Sequence, residues 1–186
     1  MTILEKTEFG NPILRGRAKQ LSKDEVLSAE IQSLIASIRH TLVAKKYGIG
    51  LAAPQVGHSL ALSVIHIRPT KTRPNLPKEK WADLVIINPK IIKTFGRKEQ
   101  LWEGCISLPE VFAKVPRYKK IKLQFLDEEG REQIKTFEGL LAHVIQHETD
   151  HLNGGLFVDK VKDPSTFMSG TEYRKQIVSK NPKGLK

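Results

Sequence analysis

The stretch Leu140-Leu141-Ala142-His143-Val144-Ile145-Gln146-His147-Glu148-Thr149-Asp150-His151-Leu152 decides how the rest of the chain reads. Leu140, Leu141, Val144, Ile145 and Leu152 recur at helical spacing, which predicts one helix over 137–152. Asn153-Gly154-Gly155 ends it, because glycine readily supplies a left-handed cap. His147 and His151 stand four positions apart, one above the other on the same helix face. They lie close to the apolar arc rather than opposite it, and buried imidazoles need partners. Two imidazoles so placed can bind one metal ion from the same side. Glu148 can then lean over the open position, taking a proton from water and handing it on. The H-E-x-x-H pattern alone is also compatible with two surface histidines on a polar helix. His143 extends the series by a turn, but positions i and i+8 are about 12 Å apart along a helix. It reads as a pocket-lining or satisfied core histidine. His40, His58 and His66 have no motif around them and read as structural or surface residues.

Working outward, residues 121–126 alternate cleanly, Asp127-Glu128-Glu129-Gly130 is a tight turn, and 131–137 is the returning strand. Residues 60–67 and 84–92 read as strands, the second interrupted by Asn88-Pro89. The stretch 68–80, with its prolines and charges, reads as an exposed loop. Ser22-Lys23-Asp24-Glu25 fits a capping box. Behind it Val26, Leu27, Ile31, Leu34, Ile35, Ile38 and Leu42 mark an amphipathic helix over 23–45. Strands and helices do not alternate, so the expected class is α+β. Mostly antiparallel strands would surround the motif-bearing helix, with the amphipathic helix near the N-terminus. Residues 1–163 are expected to form a single catalytic domain. Residues 164–186 would add a C-terminal helix, from about 164 to 178, and a basic tail.

Composition sets the outer limits. A chain of 186 residues with 39% hydrophobic content suits one globular core. No apolar run approaches the roughly 18 residues that span a bilayer, and no membrane partner is expected. The first residues show neither a signal-peptide core nor an Arg-rich leader, so a cytoplasmic location is expected. The net charge of +11 favours polyanions or simply solubilises the surface. Lys71, Arg73, Lys78 and Lys80 share one loop, and Arg174, Lys175, Lys180, Lys183 and Lys186 share the tail. Neither cluster is interleaved with the aromatic residues that base stacking would need.

Two further segments carry chemistry. Glu103-Gly104-Cys105-Ile106-Ser107 holds the single cysteine. A metal held by two histidines needs at least one more protein ligand. Cys105 could supply it, leaving a fourth position for water, or could equally be a buried small hydrophobe. Gly48-Ile49-Gly50-Leu51-Ala52-Ala53-Pro54-Gln55 allows close backbone approach to a ligand, and the Gln55 amide could donate to a developing oxyanion. Alone, it reads as a tight turn after the first helix.

Taken together, these segments resemble the three signature motifs of the peptide deformylase family. The pattern G-φ-G-φ-A-A-x-Q (φ apolar) is met by 48–55, E-G-C-[LI]-S by 103–107, and Q-H-E-x-D-H-L by 146–152. Weaker similarity covers Asn11 to Arg15, Val115-Pro116-Arg117 and residues 152–159. The chain departs from the family at Ala113, often glycine, and at His143, more often arginine or aliphatic.

The resemblance implies a metal-dependent hydrolase that removes the formyl group from N-terminal formyl-methionine of new polypeptides, releasing formate. It implies that Cys105, His147 and His151 bind one divalent ion, Fe(II) first, with Zn(II) or Ni(II) as substitutes. Glu148 would be general base and then acid. The Gln55 side chain and the Ile106 backbone N–H would stabilise the oxyanion. Ile49, Gly50, Leu101, Gly104, Leu140 and Val144 would contact substrate, and Glu103 would support the site from behind the ligands. A monomer is expected, and the charge of the tail would suit contact with ribosomal RNA as formylated chains emerge. Two rivals share these residues: another H-E-x-x-H metallopeptidase, and a non-enzymatic RNA-binding relative with a vestigial site.

Overall fold

The computed structural model describes residues 2–45, 48–70 and 75–180. In chain order the helices and strands are α1 (Lys23–Leu27), α2 (Ala29–Ala44), β1 (Gly50–Ala52), β2 (Leu62–Ile67), β3 (Ala82–Cys105), β4 (Leu108–Leu126), β5 (Glu132–Glu138), α3 (Gly139–Leu152), β6 (Met168–Ser169) and α4 (Gly170–Tyr173). The strands form one antiparallel sheet in the order β1-β2-β3-β4-β5, with β6 also paired to β4. The α+β class expected from the sequence is what the chain adopts.

The two long helices cover opposite faces of this sheet. On β2 and β3, Leu62, Val64, Val85 and Ile87 turn to α2, packing with Leu34, Ile35, Ile38 and Leu42. The alternate residues Ile65, Ile67 and Ile86 turn to α3 and pack with Ala142, Val144 and Ile145. A strand buried on both faces loses the polar alternation of a half-exposed one, which is why residues 60–67 read as an apolar run. On β4, Ile121, Leu123 and Phe125 join the α3 side.

Three expectations differ from the structure. The helix over 23–45 is two helices broken at Ser28, whose backbone is extended (φ −64°, ψ 148°). Its hydroxyl donates to the Glu25 carbonyl and accepts from Ile31 N–H, ending α1 and capping α2. Serine competes with helix interiors in this way and favours caps. The capping box at Ser22 and Glu25 is present as expected.

The helix expected over 164–178 forms only in its second half: a 3-10 turn (Pro164–Thr166) and β6 come first, and α4 then runs directly into a π turn (Arg174–Val178). Backbone pairing of Ser169 with Val111 and of Met168 with Phe112 competes with helix at this point. Finally, β3 and β4 run far beyond the strands read at 84–92 and 121–126. Residues 93–100 of β3 are mostly polar, and on β4 Pro109 and Pro116 interrupt the apolar residues, so neither segment gives a continuous strand signal. Residues 71–74 of the loop and 181–186 of the tail lie outside the described residues, with Lys71, Arg73, Lys183 and Lys186 among them.

Candidate metal centre

Helix α3 presents His147 and His151 on successive turns, with their Nε2 atoms 3.2 Å apart. The end of β3 brings Cys105 to the same point, its Sγ 3.3 Å from His151 Nε2. The donor atoms of Cys105, His147 and His151 all lie within 4.8 Å of one another. Ligand bonds of about 2.0–2.3 Å in a tetrahedron imply donor separations of about 3.4 Å, so this set fits one small divalent cation. Charge agrees with the geometry. Burial opposes a thiolate at Cys105, but His151 and His147 outweigh it and hold the thiol pKa well below its usual range. Burial likewise opposes a charged His147, yet hydrogen bonds to Cys105 and Glu103 hold its pKa well above normal. A positive charge among these atoms is thus favoured, and a cation supplies it.

Glu103 organises the ligands from behind. It lies on β3, and one oxygen accepts from His147 Nδ1 at 2.7 Å, which leaves Nε2 of that ring for a metal. The other takes His143 Nε2 at 2.9 Å. Arg117 on β4 grips both oxygens at 2.7 and 3.1 Å and reaches Asp150 on α3 at 2.5 Å. Burial alone would raise the Glu103 pKa, but the bonds from His143, His147 and Arg117 keep it well below the usual carboxylate range. His143 is held below its usual pKa, mainly by burial.

Glu148 is different. It is buried, its Oε2 has no hydrogen-bond partner among the described residues, and burial pushes its pKa up. A Cβ at Gly50 would run into the Glu148 carboxylate, so the glycine leaves room for Glu148 in this position. Gln55 lies in the 3-10 turn after β1. Its Oε1 accepts from Ala52 N–H at 2.9 Å, which turns Nε2 toward Cys105 Sγ (3.2 Å) and Ser107 Oγ (3.3 Å). Ile106 follows Cys105 in the turn between β3 and β4.

An open cleft of about 330 Å³ leads to these residues. Ile49, Gly50, Gln55, Glu103, Gly104, Cys105, Ile106, Val144, His147 and Glu148 all line it, and so does His143. Leu101 and Leu140 are not among its lining residues. Leu140 packs behind, in the cluster that holds Ile49 and Val144, and Leu101 pairs with Val115. Sequence reasoning assigned no role to Arg117, Asp150 or Ser107, although each stands within or beside a recognised motif. It also missed Trp102, Glu110, Phe112 and Tyr173, which line the outer cleft. Tyr173 of α4 stacks on Phe112 at 4.1 Å and meets Trp102 edge-on at 5.5 Å, contacts that no local pattern announces.

The sequence profile of polypeptide deformylases matches residues 3–167. The chain belongs to the polypeptide deformylase family. Membership makes it a metal-dependent hydrolase of N-formyl peptides, the reaction of that family. Similar proteins include peptide deformylase 2 of a Nostoc species, 36% identical over 97% of this chain and 98% of that one. The peptide deformylase of Chlorobaculum parvum is 40% identical over 86% of this chain and 80% of its own. Among solved structures, a class I type b peptide deformylase from Acinetobacter baumannii bound to Met-Ala-Ser superposes with a TM-score of 0.80. It is 31% identical and covers 86% of this chain and 99% of that one. A Synechococcus elongatus peptide deformylase in complex with actinonin gives 0.76 at 39% identity, over 93% and 85% of the two chains.

Proposed function

We propose that this deformylase acts on N-terminal formyl-methionine of newly made polypeptides, with the division of labour that follows. Cys105, His147 and His151 hold one divalent ion, Fe(II) in the native enzyme, with Zn(II) or Ni(II) as substitutes; one thiolate and two imidazoles suit all three. When bound, the ion supplies Lewis-acid activation of water near neutral pH. Glu148 takes the proton of the attacking water and returns it to the leaving amine. Gln55 Nε2 and the Ile106 N–H donate to the oxygen that becomes negative on the formyl carbon. The Ala52 bond holds the Gln55 amide in the required sense before substrate arrives. Ile49 and Val144 take the methionine side chain, backed by Leu140, with Leu101 further along β3. Gly50 and Gly104 admit the peptide backbone, and Glu103 keeps His147 oriented.

The observation that carries this reading is the buried, unpartnered Glu148 oxygen beside three converging donors. A carboxylate costs free energy in that position unless a ligand or water completes it. Formate release from formyl-Met-Ala-Ser, by protein purified without oxygen and assayed for metal, tests the assignment. Fast release with about one Fe per chain, as a single three-ligand site requires, supports it. No release from fully metallated protein overturns it and favours a peptidase of the H-E-x-x-H type.

The remaining parts of the proposal are coarser. Residues 1–163 form the catalytic unit, 164–186 are an appended segment that contributes Tyr173 to the cleft wall, and the enzyme works as a cytoplasmic monomer. Contact of the basic tail with ribosomal RNA rests on charge. Unchanged ribosome co-sedimentation at low salt after deletion of residues 179–186 would remove it.

A further inference from the structure

The segment after residue 163 builds one side of the cleft. β6 pairs with β4, Ser169 with Val111 and Met168 with Phe112, and this sets α4 beside the cleft mouth. Ser169 caps α4 by accepting from the Glu172 N–H. A Cβ at Gly170 would meet the Glu110 carboxylate, so the glycine leaves room for that side chain. Arg174 grips both Glu110 oxygens, at 3.0 and 2.7 Å. A two-pronged pair of this kind fixes direction as well as distance. Glu110 itself has a left-handed backbone (φ 62°), which a non-glycine residue keeps only where its surroundings hold it.

This latch sets the place of Tyr173. The residue is only 2% exposed although α4 is short. Its ring lies parallel to that of Phe112, with centres 4.1 Å apart, and edge-on to Trp102 at 5.5 Å. Phe112 stands opposite Gly104 in the β3–β4 ladder, and a Cβ at Gly104 would run into the Phe112 ring. That ring therefore lies over the Gly104 backbone, with Tyr173 stacked on it. Trp102 and Phe112 are half-exposed and line the cleft. Tyr173 and Arg174 follow residue 167, where the match to the deformylase profile ends.

We propose that Tyr173 is a positioning residue for deformylation: it holds Phe112 over Gly104, and Phe112 is the wall against which the residues after formyl-methionine lie. The inference rests on the reading above, in which Ile49 and Val144 take the methionine and Gly104 admits the peptide backbone. The residues that follow then leave along Phe112 and Trp102. Without Tyr173 the Phe112 ring turns about its side-chain bonds, and ordering it again on binding costs free energy. Arg174 acts one step further back, by holding α4 on Glu110. A substrate that ends at methionine does not reach this wall.

The test measures formate release by the full metallated chain from formyl-Met-Ala-Ser and from formyl-Met amide. Tyr173→Ala should raise KM for the tripeptide ~5-fold, about the worth of one aromatic pair. Its kcat should stay within ~2-fold, as loss of uniform binding predicts. The ratio of kcat/KM for the tripeptide to that for the amide should therefore fall ~5-fold, with bound metal as in wild type. Tyr173→Phe, which keeps the ring, should restore the ratio. Arg174→Gln, a change at an exposed side chain, should lower it ~2-fold and keeps the test open if Tyr173→Ala does not fold. A wild-type ratio in either variant, once folded, overturns the proposal. So does an equal loss with both substrates, which a merely structural role would give, or a Tyr173→Phe variant as impaired as Tyr173→Ala. No formate from wild type with either substrate would overturn the formyl-methionine reading, and this inference with it.

Discussion

The two faces of β3 and β4 carry charge in opposite ways. Toward α3, Glu103 and Arg117 are almost completely buried, and every charged atom of Glu103 is engaged by a named partner. Away from α3, Lys93 and Lys122 face one another and water. Alternate residues of the same two strands therefore meet different rules. A buried charge is tolerated only inside a complete set of partners, and removing one partner strands the rest. An exposed charge needs no partner, so like charges can accumulate there at small cost. The inner network serves geometry, because it aims the ligands.

The largest effects should come from the inner face. Glu148→Ala should lower kcat for formyl-Met-Ala-Ser by ~10²–10⁴-fold while bound metal stays near wild type. Loss of metal in the same variant would place Glu148 among the ligands instead. Cys105→Ala should abolish high-affinity metal binding, read by elemental analysis after dialysis, and formate release with it. Next comes Arg117→Leu, which leaves Glu103 buried without its guanidinium partner. A stability loss of about 3 kcal/mol by urea unfolding is expected. A loss below about 0.5 kcal/mol would mean that the two histidines alone satisfy Glu103, and the contrast between the faces would shrink.

On the outer face the sign should reverse. Lys122→Thr removes one member of the Lys93 pair and places a β-branched residue in a strand. Stability should rise by a few tenths of a kcal/mol, within the ~0.2–1 kcal/mol range of cross-strand pairs, as read by thermal unfolding. A clear loss would show that Lys122 has a structural role.

The smallest effect concerns an exposed carboxylate. Hydrogen bonds from Lys19 and Ser22 lower the Glu25 pKa from 4.5 to about 2. A folded pKa below the unfolded one means stability that is present above about pH 4.5 and lost as pH falls toward 2. Lys19→Gln should flatten the fall in melting temperature across that window only slightly, since water and salt screen a pair this exposed.

The chemistry of the site was legible where it is local. The spacing of His147, Glu148 and His151 requires only a helix, and α3 is one. The resemblance joined Cys105 to them, 42 positions before His147, where residue periodicity alone could not. Leu101 of β3, for which the resemblance implied substrate contact, pairs with Val115 and is not among the residues lining the cleft. The break at Ser28 was missed because apolar spacing continues through it, whereas the serine hydroxyl acts on single backbone groups.

By itself, the sequence determined the α+β class, the capping box, the motif helix, the hairpin at 127–130 and the identity of the donor atoms. Each rests on neighbours within a turn or a strand, and local periodicity encodes such relations. Only the tertiary structure decided that Glu103 and Arg117 hold the ligand helix, that Tyr173 walls the cleft, and that Lys93 faces Lys122. Those relations depend on strand register and on the bulges that shift it between Ile87 and Lys90 and between Phe95 and Lys98. A shift of one residue would turn Lys93 or Lys122 toward the core. Register is settled by the packing of the whole sheet between α2 and α3, not by any one segment of the chain.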